Sequence, residues 1–399
     1  MPTLLQINET ANSGSHGVIA ENIGRLANGK GWKSIIAYGR WANTSQIELL
    51  KIGSRVSVIE HAIESRLFDN HGLSSRLATK SFLHHIDQIR PDIIHLHNIH
   101  GYYLNYRLLF DFLNSRSIPV IWTIHDCWGF TGHCAHFIQA GCEKWKTGCF
   151  DCELIHSYPK SFVDRSKRNY ELKKSLFTAK KDIHIVSVSH WLAGLIRQSY
   201  FRDKDIRVIE NGVDLDVFRI SDTQEGDKFI ILGVASVWTS DKGLQDFFVL
   251  REKLDRAVFE IVLIGLNSTQ IRDLPEGIIG IKRTESVDEL VKWYNRADVV
   301  LSLSRAETFG MTLAESMACG TPVIVYNNTA LPEIVTDCTG YVVENGNIDQ
   351  VVESILLLRQ RTQEAIIIQR RACRDRAVLQ FDKNKCLKQY LDLYDEVIK

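Results

Sequence analysis

Ser304 to Pro322 reads SRAETFGMTLAESMACGTP. An apolar run, Asp298 to Leu303 (DVVLSL), precedes it, and a second, Pro322 to Tyr326 (PVIVY), follows. Short apolar runs on either side of a helix-sized insert read as buried parallel strands joined by a crossover helix. Ligands of open α/β sheets gather where strand carboxyl ends meet helix amino ends. Glu307 falls in the strand-to-helix loop, and Glu315 falls about one turn into the helix. Between them Phe309, Gly310, Met311 and Thr312 supply backbone N–H groups at a helix start, which suit an anion, while the carboxylates suit the hydroxyls of a sugar. A second reading stays open: Thr312 followed three residues later by Glu315 is a capping-box pattern, which would give Glu315 a helix-stabilising role only.

The same segment resembles the E-x7-E motif of the retaining GT-B glycosyltransferases of family 4 type, the large family that includes glycogen-synthase-like and lipid-mannosylating enzymes. The stretch ESMACGTPVIV is similar to that family's E-(A/S)-M-A-C-G-x-P-V run. The resemblance implies an α/β fold of two Rossmann-like, doubly wound domains facing an interdomain cleft. It assigns Glu307 to the donor sugar and Glu315 to the ribose hydroxyls of a nucleotide.

A chain of 399 residues is too long for one ordinary core and suits two domains. Lys plus Arg equals Asp plus Glu at 48 each, so no global field recruits nucleic acid or an anionic membrane, and any such attraction must be local. The amino terminus, MPTLLQINETANSG, lacks a basic start with a long apolar core, and no stretch approaches a spanning helix in length. A cytoplasmic protein is expected, peripheral at the cytoplasmic membrane face if the basic segment described below docks there.

From the start, apolar strands alternate with helical stretches. Strands are expected at Thr3 to Ile7, Ser34 to Tyr38, Val56 to Ile59, Asp92 to His97 and Pro119 to His125. The loop NSGSHG precedes a helical stretch from Val18 to Asn28, and its Gly14 and Gly17 permit either a ligand contact or a tight turn. His95 and His97 share one strand face; they are either acceptor-side polar groups or satisfied sheet-end histidines. His125 and Asp126 arrive at the end of the PVIWTIH strand, where an imidazole can bond a sugar hydroxyl. The T-x-H-D run resembles the family's histidine near the donor sugar, which singles out His125. Acceptor-side or cleft roles fall to Gly14, Gly17, His97 and Asp126.

Residues 126–158 form a cysteine-rich loop that is long for a compact domain. Cys134, Cys142, Cys149 and Cys152, the last two as C-x-x-C, can close a tetrahedral structural zinc site with no open position for catalysis. Cys127, His133 and His136 offer rival ligand sets, and four oxidisable thiols are the plain alternative. The stretch resembles a GC-x-x-WKTGC-x-x-C segment in some bacterial polysaccharide sugar transferases. Beyond it, Lys160 to Lys181 is strongly basic, and Leu172, Leu176 and Phe177 can form an apolar stripe at helical spacing. Such a stripe could dock on an anionic bilayer or pack on its own domain.

NGVDLDVF, from Asn211, resembles the segment that follows the family's domain linker. The expected domains are therefore residues 1–200 and 201–380, with a last helix, 381–399, crossing back to the first. Lys242 precedes a glycine and a helical stretch and suits a diphosphate, although Lys-Gly also occurs as an ordinary turn. Where many relatives have an arginine shortly before this lysine, Val237 and Trp238 stand, so Arg283 or Arg305 is a candidate to compensate.

The expected function is transfer of a hexose, with retention and no catalytic metal, from a nucleotide-diphosphate sugar to a saccharide or lipid-linked acceptor in cell-surface polysaccharide assembly. His125, Glu307 and Lys242 would be the catalytic groups. No cofactor is expected for catalysis, zinc being structural, and no nucleic acid partner. A nucleotide-sugar epimerase on the same fold, or a non-catalytic sugar-nucleotide or interaction protein organised by the zinc loop, would carry many of the same features.

Overall fold

The computed structural model describes residues 1–221 and 226–398. The chain divides into two compact units, Met1–Ile209 with Leu387–Lys399, and Glu210–Cys386.

The first unit is built on seven strands: β1 (Thr3–Asn8), β2 (Lys33–Tyr38), β3 (Glu48–Lys51), β4 (Ile93–Leu96), β5 (Val120–Ile124), β6 (Ile183–Ser187) and β7 (Asp205–Val208). They lie in the order β3-β2-β1-β4-β5-β6-β7, and every paired neighbour is parallel. Both faces are covered, so Leu4, Leu5, Gln6 and Ile7 are all buried in succession, the mark of a strand between two helical layers. Among them the one polar side chain, Gln6, donates to Ala20 O at 2.8 Å and meets His97 Nε2 through Oε1 at 3.1 Å. The end of helix Lys383–Val397 belongs to this unit: Tyr390 and Tyr394 pack with Leu4, Ile93 and Ile121. The Tyr394 hydroxyl lies 2.6 Å from His95 Nδ1.

The second unit has six parallel strands: β8 (Phe229–Val234), β9 (Phe259–Ile264), β10 (Ile278–Ile281), β11 (Val299–Ser302), β12 (Val323–Tyr326) and β13 (Gly340–Val343). Their order is β10-β9-β8-β11-β12-β13. In both sheets the winding reverses between two adjacent strands, β1 and β4 in one and β8 and β11 in the other. A crevice forms at the carboxyl end of such a pair.

Three expectations from sequence are corrected. Val56 to Ile59 is not a strand but part of helix Arg55–Phe68, which Ser54 caps by accepting from Ser57 N; the edge strand is β3 instead. The domain boundary falls after Ile209, nine residues beyond the expected 200, because β7 completes the first sheet. Gly14 and Gly17 belong to helix Gly14–Gly29 rather than to a loop before it. A Cβ on Gly17 would sit 2.6 Å from Thr10 Oγ1, so its small size lets the helix approach the chain's own preceding turn. The stripe of helix Ser166–Ala179 follows the second of its two readings, packing on its own domain: Phe177 is fully buried, Leu172 and Leu176 are half-buried, and even Lys173 is enclosed.

Gly243 fixes the turn that follows β8. Its φ is +74°, and a Cβ there would lie 2.2 Å from Leu303 O, so the turn is pressed against the end of β11. Gly243→Ala should therefore lower unfolding free energy by more than about 2 kcal/mol, measured by urea denaturation, because both the left-handed backbone and the carbonyl contact reject a methyl group.

Candidate active site

In the second unit the two strands at the winding reversal each deliver one charged side chain. Lys242 ends the turn Ser240–Lys242 after β8, and Glu307 lies in the loop after β11. The two loops are tied directly: Arg305 N donates to Asp241 O at 2.7 Å and Ser304 Oγ to the same oxygen at 3.1 Å. Lys242 Nζ pairs with Glu307 Oε1, and neither side chain is fully enclosed. Glu307 is held from behind by its amide, which donates to Thr329 Oγ1 at 3.1 Å.

Helix Met311–Ala318 starts at this loop, with Gly310 as N-cap at φ +112°. A capping box of Thr312 and Glu315 is not formed, because the helix begins before Thr312 and the cap carries no side chain. The first helical amides have no intrahelical acceptor, which leaves the N–H groups of the 310–312 stretch as the anion-attracting end. Phe309 contributes only its backbone; its ring is buried against Phe381.

Glu315 is released from the capping role and takes another. Its Oε2 accepts from the Tyr294 hydroxyl at 2.8 Å. Burial pushes its carboxyl up to about 7, although the Tyr294 hydrogen bond opposes the shift. Arg305, a candidate for neutralising a diphosphate, is engaged with Asp246 at 2.9 Å, and Tyr326 OH donates to the same carboxylate at 2.9 Å. Arg283 is exposed and Lys242 remains the cation at the turn.

In the first unit the carboxyl ends of β1, β4 and β5 bring histidines together. His125 Nε2 is 3.3 Å from His97 Nδ1, and the rings stack at 5.6 Å. Burial, then the neighbouring His97, holds the His125 imidazole well below its usual range, so it is neutral at physiological pH. His95 is satisfied on both nitrogens, by Tyr394 OH and Thr123 Oγ1, and is a core histidine. Asp126 would be raised by burial, but His100 at 2.8 Å and the Trp128 amide at 2.9 Å hold its carboxyl well below the usual range. Gly14, by contrast, has open space where a Cβ would stand.

Sequence reasoning missed three neighbours. His16 Nδ1 lies 3.0 Å from Asn8 Oδ1, its ring 6.0 Å from that of His125. Glu9 accepts from Arg40 at 2.8 Å. Glu9 directly follows β1 and His16 sits in the quoted NSGSHG segment, so their positions beside a strand end were the available signal.

Cys134, Cys142, Cys149 and Cys152 line one pocket of the loop, together with His133. Cys149 Sγ accepts from Gly132 N at 3.2 Å. Among the described residues no group of three or more His, Cys, Asp or Glu side chains is placed to hold a metal ion, and no helix is long and apolar enough to cross a membrane.

Comparison with known proteins agrees with this architecture. The model "Glycosyltransferase Family 4" matches residues 14–217 and "Glycosyl transferases group 1" matches residues 228–361. The fold is that of the GT-B glycosyltransferases, and the chain belongs to glycosyltransferase family 4. WcaC of Escherichia coli K12, named for glycosyl transfer in colanic acid biosynthesis, is 25% identical over 329 residues, 77% of each chain. The N,N'-diacetylbacillosaminyl-diphospho-undecaprenol alpha-1,3-N-acetylgalactosaminyltransferase of Campylobacter jejuni is 27% identical over 180 residues, 43% of this chain and 46% of that one. Among solved structures, Anabaena Alr3699/HepE in complex with UDP superposes with a TM-score of 0.68 at 13% identity, covering 99% of this chain and all of its own. The protein is thus a glycosyltransferase of the type found in polysaccharide biosynthesis.

Glu315 makes stability depend on pH. Its folded-state pKa lies above the ordinary 4.5, so the folded protein holds the extra proton; that stabilisation is complete below about 4.5 and is lost as pH rises through about 7. Wild type should lose roughly 1 to 3 kcal/mol more than Glu315→Gln between pH 5 and 7.5, read as urea midpoints, and parallel curves would show that the carboxyl is not buried as described.

Proposed function

We propose that the protein transfers a hexosyl unit, with retention at the anomeric carbon, from a nucleotide-diphosphate sugar to a saccharide or lipid-linked saccharide acceptor. The observation that carries the reading is the convergence of Lys242, Glu307 and a helix amino end on the winding reversal of the second sheet. An ammonium and backbone amides stabilise the charge that builds on a departing diphosphate, which is where a loose, oxocarbenium-like transition state needs help. Glu315, next to Tyr294, is assigned to the ribose hydroxyls. Glu307, Gly310, Met311 and Thr312 complete the donor contacts, with the Phe309 amide.

The ion pair gives this site a switch. A diphosphate competes with Glu307 for Lys242, and its arrival frees the Glu307 carboxylate to accept hydrogen bonds from the sugar. His125, neutral, can accept from or donate to a hydroxyl of the transferred sugar, while His97 and Asp126 hold it and its surroundings in place. No step requires a catalytic cation, since Lys242 and the amides meet the diphosphate charge. UDP is a fitting first probe because a structural neighbour binds it.

Lys242→Ala should lower kcat/KM for the donor roughly 10- to 100-fold, the effect of one charge-assisted contact. Glu307→Gln should keep or strengthen UDP affinity, measured by calorimetry, while depressing kcat, because it releases Lys242 but loses the sugar contact. Unchanged kinetics in both variants would end the assignment, and NMR of the initial product anomer reports retention directly.

For the cysteine pocket we propose a structural zinc ion held by Cys134, Cys142, Cys149 and Cys152. Support comes from four thiols sharing one pocket and from the Gly132 amide directed at Cys149 Sγ. Zinc would draw these thiols onto a common centre and hold a loop that has only short 3-10 turns of its own. Protein purified without chelator should contain about one zinc per chain by elemental analysis; less than about half an equivalent would count against the site.

A further inference from the structure

A chain of hydrogen bonds leads from the Ala20 carbonyl of helix Gly14–Gly29 to the His125 ring, and each link has a fixed sense. Gln6 is fully buried, with its amide nitrogen 2.8 Å from Ala20 O. A carbonyl only accepts, so the amide nitrogen is the Ala20 partner and the amide oxygen faces His97 Nε2 at 3.1 Å. That oxygen also only accepts, so His97 carries its proton on Nε2. Burial lowers the His97 pKa well below the usual range and favours a neutral ring with one N–H, which leaves Nδ1 a lone pair. His125 Nε2, 3.3 Å from that lone pair, donates to it. His125 is itself kept neutral by burial, so its remaining polar atom, Nδ1, is a lone pair. No described residue is bonded to that atom.

His16 is held in the opposite tautomer. Asn8 is fully buried; its amide nitrogen donates to Thr10 O at 2.9 Å, and its oxygen accepts from Asn98 N at 3.3 Å. The same oxygen faces His16 Nδ1 at 3.0 Å, so that nitrogen carries the proton. Burial, ahead of the opposing charge of Glu9, lowers the His16 pKa and favours the neutral ring, which makes Nε2 the lone pair. Glu9 Oε2 stands 4.0 Å from Nε2, one acceptor beside another. The two rings, His16 and His125, are 6.0 Å apart.

We propose that Gln6, His97 and Asn8 are positioning residues that hold His125 and His16 as acceptor-only contacts for saccharide hydroxyls, His125 through Nδ1 and His16 through Nε2. A hydroxyl satisfies such an atom by donating its hydrogen. A carboxylate or carbonyl oxygen set against it leaves two acceptors facing each other unpaired, so these positions select hydroxyl-bearing neutral sugar over an acidic group. The ionised Asp126, next in the chain to His125 and bonded to His100 at 2.8 Å, disfavours an anion there as well. This role rests on the proposed sugar transfer and narrows His125 from either sense of hydrogen bond to one.

Nitrogen NMR of the full chain, labelled in its histidine rings, reads tautomers directly, with His125→Gln and His16→Gln assigning the two rings by loss of signal. Near neutral pH, His125 should carry its proton on Nε2 and His16 on Nδ1, opposite tautomers in one sample. Gln6→Met removes the acceptor of His97, so His125 should lose its single tautomer. In that variant UDP affinity, measured by calorimetry, should match wild type, while kcat/KM with UDP-glucose as the donor probe falls roughly 10-fold, the effect of one misdirected hydrogen bond. Should the variant not fold, or wild type not turn over UDP-glucose, the wild-type spectrum decides alone. The reverse tautomer or an imidazolium signal for either ring would overturn the proposal. So would a folded Gln6→Met protein that keeps one His125 tautomer, or one that loses it with kcat/KM unchanged. The expected tautomers in a protein that neither binds UDP nor transfers sugar would count against the proposed function and leave the hydrogen-bond chain standing.

Discussion

Parallel pairing of β8 with β11 is the constraint on which the second unit's chemistry depends. The register sets Val299 opposite Ile231 and Leu301 opposite Gly233, so both strands end at the same edge of the sheet. Residues 65 apart in the chain, Lys242 and Glu307, are thereby brought into contact. Gly243 then admits the backbone of one loop against the carbonyl of the other. A helix starting at that edge adds amide dipoles pointing the same way. None of these groups would be useful alone: a lone ammonium is fully hydrated, and a lone helix end attracts any anion.

The same geometry in the first sheet has a different outcome. Buried parallel strands exclude water from their ends, and burial, ahead of neighbouring groups, lowers the pKa of three imidazoles there and favours their neutral form: His16, His97 and His125. Neutral imidazoles can donate and accept at once, which suits hydroxyl recognition. Asp126, pinned by His100 and an amide, keeps a fixed negative charge beside them. One unit thus offers a cation and helix-start amides, and the other a neutral hydrogen-bonding surface.

Segments outside the sheets show how polar burial shapes a surface. Lys173, part of the basic Lys160 to Lys181 segment, is enclosed, its ammonium bonded to the carbonyls of Trp128 and Thr131 at 2.8 and 3.1 Å and resting 3.4 Å from the Trp128 ring centroid. It fastens the helix to the cysteine loop. Helix Arg55–Phe68 is fastened by His61 in a comparable way, which leaves its apolar side chains outside.

Alternating apolar runs were sufficient to determine two doubly wound parallel sheets, because a strand covered on both faces must be apolar throughout and its length limits it to a few residues. The E-x7-E segment likewise located a strand end, a loop and a helix start, since the three are consecutive in the chain. Periodicity misassigned Val56 to Ile59, where a run too short to show its three- and four-residue spacing looked like a strand. Capping chemistry left Glu315 open between two roles, because whether a helix begins at Thr312 or before it depends on Gly310, whose φ of +112° only the folded loop sets. What tertiary structure alone decided was partnership: Glu315 with Tyr294, Lys242 with Glu307, His125 with His97, and which side of a helix faces water. Those pairings join residues far apart in sequence, and their strength comes from burial that no local pattern encodes.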